Sequence, residues 1–328
     1  MKAVSLFSGG LDSQLAVCLI KDQGIEVIGL NFMTPFFGGT PYLYKAARHL
    51  GIQLEVLDIS NDEYMEVLKN PRYGYGKNMN PCIDCHAFMI NQAGKYMENI
   101  DASFIITGEV LGQRPMSQNK SSLNAVEKLS GYRGYVLRPL SARLLPPTIA
   151  EEKGWVDRSR LLDINGRSRT RQMELAAKYG LTDYPSPAGG CLLTNEGFAR
   201  RLQRLLALRP TAGADDMHIL RYGRHFYLQE NNLLVIGRHQ EENKALADLA
   251  RPTDYLLRVK THPGPLAVLR PLGNGPEDEV IKTAAALVAR YSDAKQEPQA
   301  IVKVWQPQQT EKELIVTPTS PDATPNMV

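Results

Sequence analysis

Short apolar runs and amphipathic stretches alternate along the first third of the chain. The apolar runs predict strands over residues 3–7, 26–32, 53–58 and 103–107. Apolar positions at helical spacing predict helices over residues 13–22, 42–50, 62–68 and 88–98. Strands that alternate with helices form a parallel sheet covered on both faces, and such a sheet binds its ligand beyond the carboxyl ends of the strands. The pattern therefore predicts an α/β fold.

The pattern changes after about residue 140. A helix is expected to begin near residue 146, with further helices over 168–179 and 241–249 and strands over 218–222, 225–228 and 233–237. We expect four parts: a nucleotide-binding α/β domain over 1–145, a basic helical extension over 146–212, a smaller α+β domain over 213–305 and a mobile tail over 306–328. Within the tail, residues 314–316 have the composition of a short strand.

The composition excludes several classes of protein. Hydrophobic residues make up 43% of the 328 residues and charged residues 22%, as in ordinary globular proteins. No run of about 18 apolar residues is present, so we expect no membrane span. Four cysteines are too few for a disulfide scaffold, and a cytoplasmic location is expected.

Positive charge is concentrated in the middle of the chain. The net charge is only +3, but residues 133–209 hold fourteen Lys or Arg against seven Asp or Glu. The arginines that form clusters there are Arg158, Arg160, Arg167, Arg169, Arg171, Arg200, Arg201 and Arg204. Such clustering favours contact with a phosphate backbone. A solvated helix face is the alternative interpretation.

A glycine-rich loop, Ser-Gly-Gly-Leu-Asp-Ser over residues 8–13, separates the first strand from the first helix. Its glycines let the backbone turn tightly, and its N–H groups and the positive end of the helix face an anion. The residues expected to bind nucleotide here are Ser8, Gly9, Gly10, Asp12 and Ser13. Asp12 is negative, so we expect it to hold Mg²⁺ or to fix the loop. The spacing is neither that of the Walker A motif nor that of the dinucleotide fingerprint.

This motif, placed at the start of the chain, resembles that of the PP-loop family of N-type ATP pyrophosphatases. The resemblance implies an adenine nucleotide alpha hydrolase-like fold, in which the loop grips pyrophosphate. It also implies that ATP is cleaved between its α and β phosphates. AMP then passes to a carbonyl-type oxygen, and a nucleophile displaces the adenylate.

Three of the four cysteines lie in segments that contain Gly or Pro. Cys82 and Cys85 belong to the sequence Asn-Pro-Cys-Ile-Asp-Cys, and Cys191 belongs to Gly-Gly-Cys-Leu. Cys18, on the apolar first helix, is expected to fill the core. The two motifs resemble those of the tRNA 2-thiouridylases of the PP-loop family. This resemblance implies that Cys85 receives or opposes the sulfur and that Cys191 carries a persulfide.

A further segment, Ile-Thr-Gly-Glu-Val-Leu-Gly-Gln over residues 106–113, is similar to one in the tRNA 4-thiouridine synthetases, and residues 117–118 and 137–140 also fit that family. In the family this segment helps to build the nucleotide site. The nucleotide-binding residues implied in this way are Thr107, Gly108 and Gln113, to which we add Asn31 from the second predicted strand. The N-terminal RNA-binding module of those enzymes has no counterpart in residues 1–328.

Cys82 distinguishes the possible ways of delivering sulfur. Two cysteines suffice for persulfide chemistry, in which one carries the sulfur and the other releases it by forming a disulfide. Three thiolates instead suit a [4Fe–4S] cluster with one open iron, and several PP-loop tRNA thiolases have that arrangement. Zinc is a third alternative, for which His86 would be the fourth ligand. We favour the cluster, with Cys82, Cys85 and Cys191 as its ligands.

Two short segments of the last third, residues 221–226 and 235–243, resemble the small RNA-binding domain of the NFACT family. The resemblance implies contacts with phosphate and stacked bases. The side chains expected to make them are Arg224, His225, Arg238, His239, Tyr222, Phe226 and Tyr227. The alternative is a compact α+β appendage whose histidines are ordinary surface residues.

Together these features predict an ATP-dependent tRNA sulfurtransferase. ATP and Mg²⁺ bind at the glycine-rich loop, a uracil carbonyl oxygen is adenylated, and sulfur displaces AMP. The sulfur donor is sulfide or a cysteine desulfurase-derived persulfide, and a homodimer is one assembly to consider. The expected catalytic residues are Asp12, Cys85 and Cys191. The alternatives are sulfur transfer to a small molecule or carrier protein, and a non-catalytic RNA-binding protein.

Overall fold

Apolar runs from the first 140 residues form one parallel sheet in the computed structural model, which describes residues 1–185 and 190–328. Its strands are β1 (Lys2–Leu6), β2 (Glu26–Met33), β3 (Gln53–Asp58), β4 (Phe104–Thr107) and β5 (Val136–Leu137). They lie in the order β3–β2–β1–β4–β5 with parallel pairing throughout. The predicted α/β fold is confirmed, and the middle residues of β1, at the centre of the sheet, are buried, as expected of a strand covered on both faces.

The order of the strands changes direction beside β1. The chain adds β2 and β3 on one side of β1 and then returns to add β4 on the other side. Leu6 at the end of β1 is paired with Leu30 of β2 and with Thr107 of β4. The connections that leave β1 and β4 therefore diverge at the carboxyl edge and open a crevice, which is where parallel sheets bind ligands.

Helices of the same compact unit, Met1–Thr194, pack around this sheet. They are α1 (Leu11–Lys21), α2 (Pro41–Leu50), α3 (Asp62–Lys69), α4 (Cys82–Asn99), α5 (Lys120–Ser130), α6 (Ile149–Glu152) and α7 (Thr170–Lys178). Nine of the eleven residues of α1 are buried, and its side chains share a core with Phe7 and Phe104. This burial fixes the position of the glycine-rich loop that precedes α1.

The second compact unit, Asn195–Val328, carries an antiparallel sheet. Its strands, in the order β11–β10–β8–β9–β7–β6, are β6 (Arg224–Leu228), β7 (Asn232–Ile236), β8 (Tyr255–Val259), β9 (Ala267–Pro271), β10 (Ala300–Trp305) and β11 (Lys312–Val316). Its helices are α8 (Glu196–Leu208), α9 (Ala214–Met217), α10 (Gln240–Asp248) and α11 (Asp278–Arg290). Apolar residues of α11 share a core with the sheet, which confirms the smaller α+β domain.

In sequence, the chain passes from the first unit to the second between Thr194 and Asn195. The four-part division at residues 145, 212 and 305 stays a prediction. Strand β11 lies in the predicted tail and pairs with β10, which confirms the strand expected over 314–316. Among the described residues, no helix combines the length and the apolar character needed to cross a lipid bilayer.

Two predicted elements are wrong in type or extent. The strand predicted over 218–222 is instead a 3₁₀ helix, His218–Arg221, which buries the adjacent Ile219 and Leu220 together; a strand would point them to opposite faces. The helix predicted from residue 88 begins at Cys82, directly after Pro81. The Gly-, Asn- and Pro-rich segment therefore ends before the first cysteine pair, and both of those thiols lie in the first turn of α4.

Candidate active site

The glycine-rich loop turns sharply and continues as the first turn of α1. Gly9 has a φ of +75°, in the left-handed region that favours glycine, and Gly10 caps α1 in an extended conformation. Ser13 Oγ donates to the carbonyl oxygen of Gly10 at 2.9 Å, and the N–H of Gly10 donates to Ser8 Oγ at 3.3 Å. The loop thus presents the N-terminus of an eleven-residue helix, which is an anion-binding element, at the crevice.

Asp12 is linked to the connection that follows β4. Gln113 Nε2 donates to Asp12 Oδ2 at 3.1 Å, whereas Asp12 Oδ1 is buried and finds no hydrogen-bond partner within residues 1–185 and 190–328. Gly108 passes so close to α1 that a Cβ added there would lie 2.5 Å from the Ser13 nitrogen. The structure therefore brings these four residues together, and the unpaired carboxylate oxygen suits a hard cation such as Mg²⁺.

Two other residues predicted to bind nucleotide support the ends of their strands. Asn31 Nδ2 donates to the carbonyl oxygen of Phe7 at 2.8 Å, and Asn31 Oδ1 accepts from the N–H of Gly39 at 3.4 Å. Thr107 Oγ1 donates to Glu109 Oε2 at 3.1 Å. Both side chains are buried and already hydrogen-bonded within the protein. Their contact with nucleotide stays a prediction.

Glu109 is a buried carboxylate to which the sequence assigns no role of its own. Its Oε2 accepts from Arg138 Nε at 2.9 Å, and its Oε1 lies 3.1 Å from His86 Nδ1. Arg138 also pairs with Glu127. Burial opposes the charged form, but Arg138 and His86 outweigh it and lower the pKa of Glu109 to about 2. Glu109 thus connects the nucleotide segment to α4, which carries His86.

The three candidate thiols interact with one another electrostatically. Cys82 and Cys85 lie in the first turn of α4, and the hydroxyl of the buried Tyr64 lies 3.5 Å from Cys85 Sγ. Burial raises the pKa of Cys85 to about 12 and that of Cys191 to about 11. A negative charge on Cys82 acts in the same direction on both. Cys18, in contrast, belongs to the core, as predicted.

Two hydrogen bonds connect the segment around Cys191 to other parts of its unit. The N–H of Leu192 donates to the carbonyl oxygen of Phe36, which follows β2, at 3.0 Å. Asn78 Nδ2, in the segment that precedes α4, donates to the carbonyl oxygen of Thr194 at 2.7 Å. Most of the loop predicted over 185–191, including the first glycine of the Gly-Gly-Cys motif, lies outside the described residues. Cys191 itself is held beside the connection after β2.

The donors present fit an iron–sulfur cluster in their chemistry. Three thiols are the donor set of a cluster that leaves one iron open, and negative charge on Cys191 or Cys82 adds to burial in raising the pKa of Cys85. Within the described ranges, no three His, Cys, Asp or Glu side chains are arranged so that they would hold a metal ion. His86, considered as a fourth ligand for zinc, directs Nδ1 to Glu109. Metal ligation by Cys82, Cys85 and Cys191 therefore stays a prediction.

The segment that follows β4 also acts on one of the thiols, that of Cys191. Gln113 contacts Asp12, and the next residue, Arg114, is exposed. The positive charge of Arg114 lowers the pKa of Cys191, although burial has the larger, opposite effect. Such a charge favours an anionic sulfur. Of these two consecutive residues, Gln113 thus contacts the nucleotide loop and Arg114 acts electrostatically on the third cysteine.

Local contacts occupy much of the arginine-rich stretch. Arg158 pairs with Glu151, and Arg171 pairs with Asp163 at 2.7 Å. Arg160 donates to the carbonyl oxygen of Asp22, the residue that follows α1, at 2.7 Å. The charge count overstates what this stretch offers to a phosphate backbone, because these arginines already have partners in their own unit.

In the second unit, the prediction that His225 and Phe226 contact RNA is wrong, because both are fully buried. His225 Nε2 lies 2.7 Å from the carbonyl oxygen of Tyr222, and burial lowers the pKa of His225 to about 3. Arg238 is paired with Glu242 at 3.0 Å. His225, Phe226 and Arg238 therefore make contacts within the second unit.

Two family models match separate parts of the chain. Residues 1–143 match the model described as thiamine biosynthesis protein (ThiI), and residues 223–326 match the NFACT protein RNA binding domain. The first match covers the parallel sheet, the glycine-rich loop and the segment that follows β4. The second covers the antiparallel sheet.

Curated relatives carry tRNA-specific names. A tRNA-specific 2-thiouridylase MnmA from Pelobacter propionicus is 28% identical over 73% of this chain and 64% of its own length. A probable tRNA sulfurtransferase from Thermococcus kodakarensis is 29% identical over 42% of this chain and 36% of its own. The chain thus spans less than two thirds of the length of these relatives. A solved 4-thiouridine synthetase–RNA complex with bound ATP is 21% identical, with a TM-score of 0.43, over 67% of this chain and 52% of that one.

Proposed function

We propose that this chain, which resembles the tRNA thiouridine synthetases of the PP-loop superfamily, is an ATP-dependent tRNA sulfurtransferase. ATP adenylates a uracil carbonyl oxygen, and sulfur then replaces that oxygen. The names of the relatives support tRNA as the acceptor, and the match of residues 223–326 supports RNA binding by the second unit. The sulfur donor is sulfide or a persulfide supplied by a cysteine desulfurase.

One observation carries this proposal. Gln113 contacts Asp12 of the nucleotide loop, and Arg114, the next residue, acts on Cys191. An enzyme that adenylates an oxygen and then displaces it must hold the α-phosphate, the acceptor and the sulfur at one place, because the carbon that bears the adenylated oxygen is the atom that the sulfur attacks in the second step. The arrangement of Gln113 and Arg114 at the carboxyl edge of the sheet supports this proposal.

In the first step, the acceptor oxygen bonds to the α-phosphorus of ATP and pyrophosphate leaves. The N–H groups at the start of α1 bind the phosphates, and the charge that develops on pyrophosphate would be offset by a bound Mg²⁺. We assign Mg²⁺ to Asp12, whose Oδ1 is buried and unpaired among the described residues. Adenylation converts the carbonyl oxygen, a poor leaving group, into part of AMP, a good one.

In the second step, sulfur bonds to the activated carbon and AMP leaves. By a persulfide route, the terminal sulfur on Cys191 attacks the carbon. Cys85 then attacks Cys191 Sγ, which forms a disulfide and releases the thiolated base, and a thiol reductant restores both cysteines. Alternatively, a [4Fe–4S] cluster held by the three cysteines would supply an open iron able to bind hydrosulfide. We propose the cluster, because Cys82 has no part in the persulfide route.

Replacing Cys191 with serine is expected to lower thiouridine formation by about 10³-fold, as removal of a nucleophile or ligand does. Pyrophosphate release from ATP in the presence of tRNA should persist, because the nucleotide loop is untouched. Mass analysis of tRNA nucleosides and a pyrophosphate assay measure the two steps separately. The matched control is Cys18→Ala, which removes a core thiol and should leave thiouridine formation unchanged. Full thiolation by Cys191→Ser would refute the proposed role.

Protein prepared without oxygen is expected to contain iron and sulfide and to absorb broadly near about 400 nm, as thiolate-ligated clusters do. The Cys82→Ser variant should lose both the iron and the sulfur transfer. Iron-free wild-type protein that thiolates tRNA, together with a fully active Cys82→Ser variant, would exclude the cluster and select the persulfide route.

A further inference from the structure

Residues 71–80, which we call the tyrosine loop, join α3 to the cysteine helix α4. Asp84, the residue before Cys85, is buried and accepts hydrogen bonds from the backbone N–H groups of Arg72 and Tyr73, at 2.8 Å and 3.0 Å. Hydrogen bonds to a carboxylate are charge-assisted and therefore strong. Asp84, which lies between the two cysteines of α4, thus fixes the position of the loop backbone at Arg72 and Tyr73.

A second set of contacts ties the same loop to both cysteine segments. Asn80 Nδ2 donates to Cys82 Sγ at 3.2 Å. Asn78 Nδ2 donates to the carbonyl oxygen of Thr194 at 2.7 Å, three residues beyond Cys191. The tyrosine loop is therefore held next to the sulfur site, because its backbone N–H groups and its asparagine amides form hydrogen bonds with residues of the two cysteine segments.

The side chains at the tip of the loop point outward and are aromatic or cationic. Tyr73 is 46% exposed and Tyr75 37% exposed, and Arg72 and Lys77 are exposed beside them. The Tyr75 hydroxyl donates to the carbonyl oxygen of Leu68 at 2.8 Å, whereas the Tyr73 side chain has no hydrogen bond or ring contact among the described residues. A ring held in place through its own backbone and left uncovered is suited to stack on a ligand.

Exchange of a carbonyl oxygen on a base requires that the base leave its stack, because its neighbours otherwise enclose the reacting atoms. Proteins hold such a base against an aromatic ring and bind the adjoining phosphates with cations. We propose that the tyrosine loop receives the target nucleobase of the RNA, with Tyr73 stacked on the base and Arg72 and Lys77 at the neighbouring phosphates. This inference rests on the proposed function, which makes RNA the acceptor, and it adds the surface that orients the base toward the thiols.

Replacing Tyr73 with alanine or leucine is expected to weaken tRNA binding about 10-fold, because base–aromatic stacking is lost. Tyr73→Phe keeps the ring and should bind and thiolate tRNA like the wild type. The dissociation constant for tRNA, at one fixed salt concentration, and the single-turnover rate of thiouridine formation are the readouts. A melting curve for each variant verifies that it is folded. The leucine variant keeps an apolar side chain of larger volume, so it tests the loss of the aromatic ring even if alanine changes the conformation of the loop.

Tyr44 of α2, 49% exposed in the same unit, is the matched control, and Tyr44→Ala should behave like the wild type. Wild-type affinity and rate in Tyr73→Ala and Tyr73→Leu would overturn the inference and leave the proposed function intact. An equal loss in Tyr73→Phe would also overturn it, since the proposed contact is made by the ring. A wild-type protein that neither binds nor thiolates tRNA would overturn the proposed function and the inference with it.

Discussion

Replacing Gly108 with alanine is expected to slow ATP-dependent pyrophosphate release by about 100-fold, the effect of a displacement of about 1 Å in a reacting group. The new Cβ would lie 2.5 Å from the Ser13 nitrogen and 2.6 Å from the carbonyl carbon of Asp12. Both are backbone atoms in the first turn of α1, so no side chain can rotate away to relieve the clash. The helix start that binds the phosphates must therefore move.

The control for this change is Gly197→Ala in α8, where the nearest atom to an added Cβ is Asn195 Oδ1 at 3.5 Å, an ordinary contact. Pyrophosphate release is followed under saturating ATP, and urea unfolding reports the stability of each variant, for which Gly108→Ala is expected to cost about 2 kcal/mol. Wild-type kinetics in a folded Gly108→Ala variant would show that the first turn of α1 does not position the phosphates.

Replacing Glu109 with glutamine is expected to lower the free energy of unfolding by about 3 kcal/mol at pH 7, because a buried ion pair is broken. Among the described residues, Arg138 would keep Glu127 as its one charged partner. Burial alone would raise the pKa of Glu109, but Arg138 and His86 lower it from the ordinary 4.5 to about 2. Since the folded pKa is lowered, this stabilisation is complete above about pH 4.5 and is lost as the pH falls toward 2.

Urea unfolding at pH 7 and at pH 3 tests this prediction, because the difference between wild type and variant should narrow at the lower pH. Glu174→Gln, at an exposed position of α7, is the control and should change stability little at either pH. An equal loss at both values would mean that the charge of Glu109 contributes nothing and that the loss comes from packing.

The nucleotide loop could be predicted from the sequence because its chemistry is local. Residues 8–13 contain the tight turn, the helix start and the polar side chains, and each of these depends on neighbours in the chain. The strands of the parallel sheet were predictable for the same reason, since an apolar run of a given length is a property of a short segment. Helix α4 shows the limit: Gly, Asn and Pro residues before Cys82 mark a loop, but they do not mark where it ends.

Contacts between distant segments could not be predicted from local patterns, and only the family resemblance placed Gln113 in the same site as the nucleotide loop. Asp12 and Gln113 are 101 positions apart, and Glu109 meets Arg138 over a separation of 29. A lone glutamate among the apolar residues after β4 signals that a buried partner exists, because an unpaired buried charge is too costly, but the signal does not say which cation provides it. His225 was expected to be accessible to RNA but is buried. Its burial depends on what packs on each face of β6, which the local sequence does not indicate.

Because Gln113 donates to Asp12 and precedes Arg114, we expect cation affinity and thiol acidity to be thermodynamically linked. A cation at the unpaired Asp12 Oδ1 would draw charge from the carboxylate whose Oδ2 accepts from Gln113, and the residue after Gln113 is Arg114, whose charge favours the anionic form of Cys191. Linkage of this kind is reciprocal. The factor by which the cation changes the acidity of Cys191 is also the factor by which the charge on Cys191 changes the affinity for the cation. A thiol titration with and without Mg²⁺ and a Mg²⁺ titration at two pH values are therefore two measurements of a single coupling free energy.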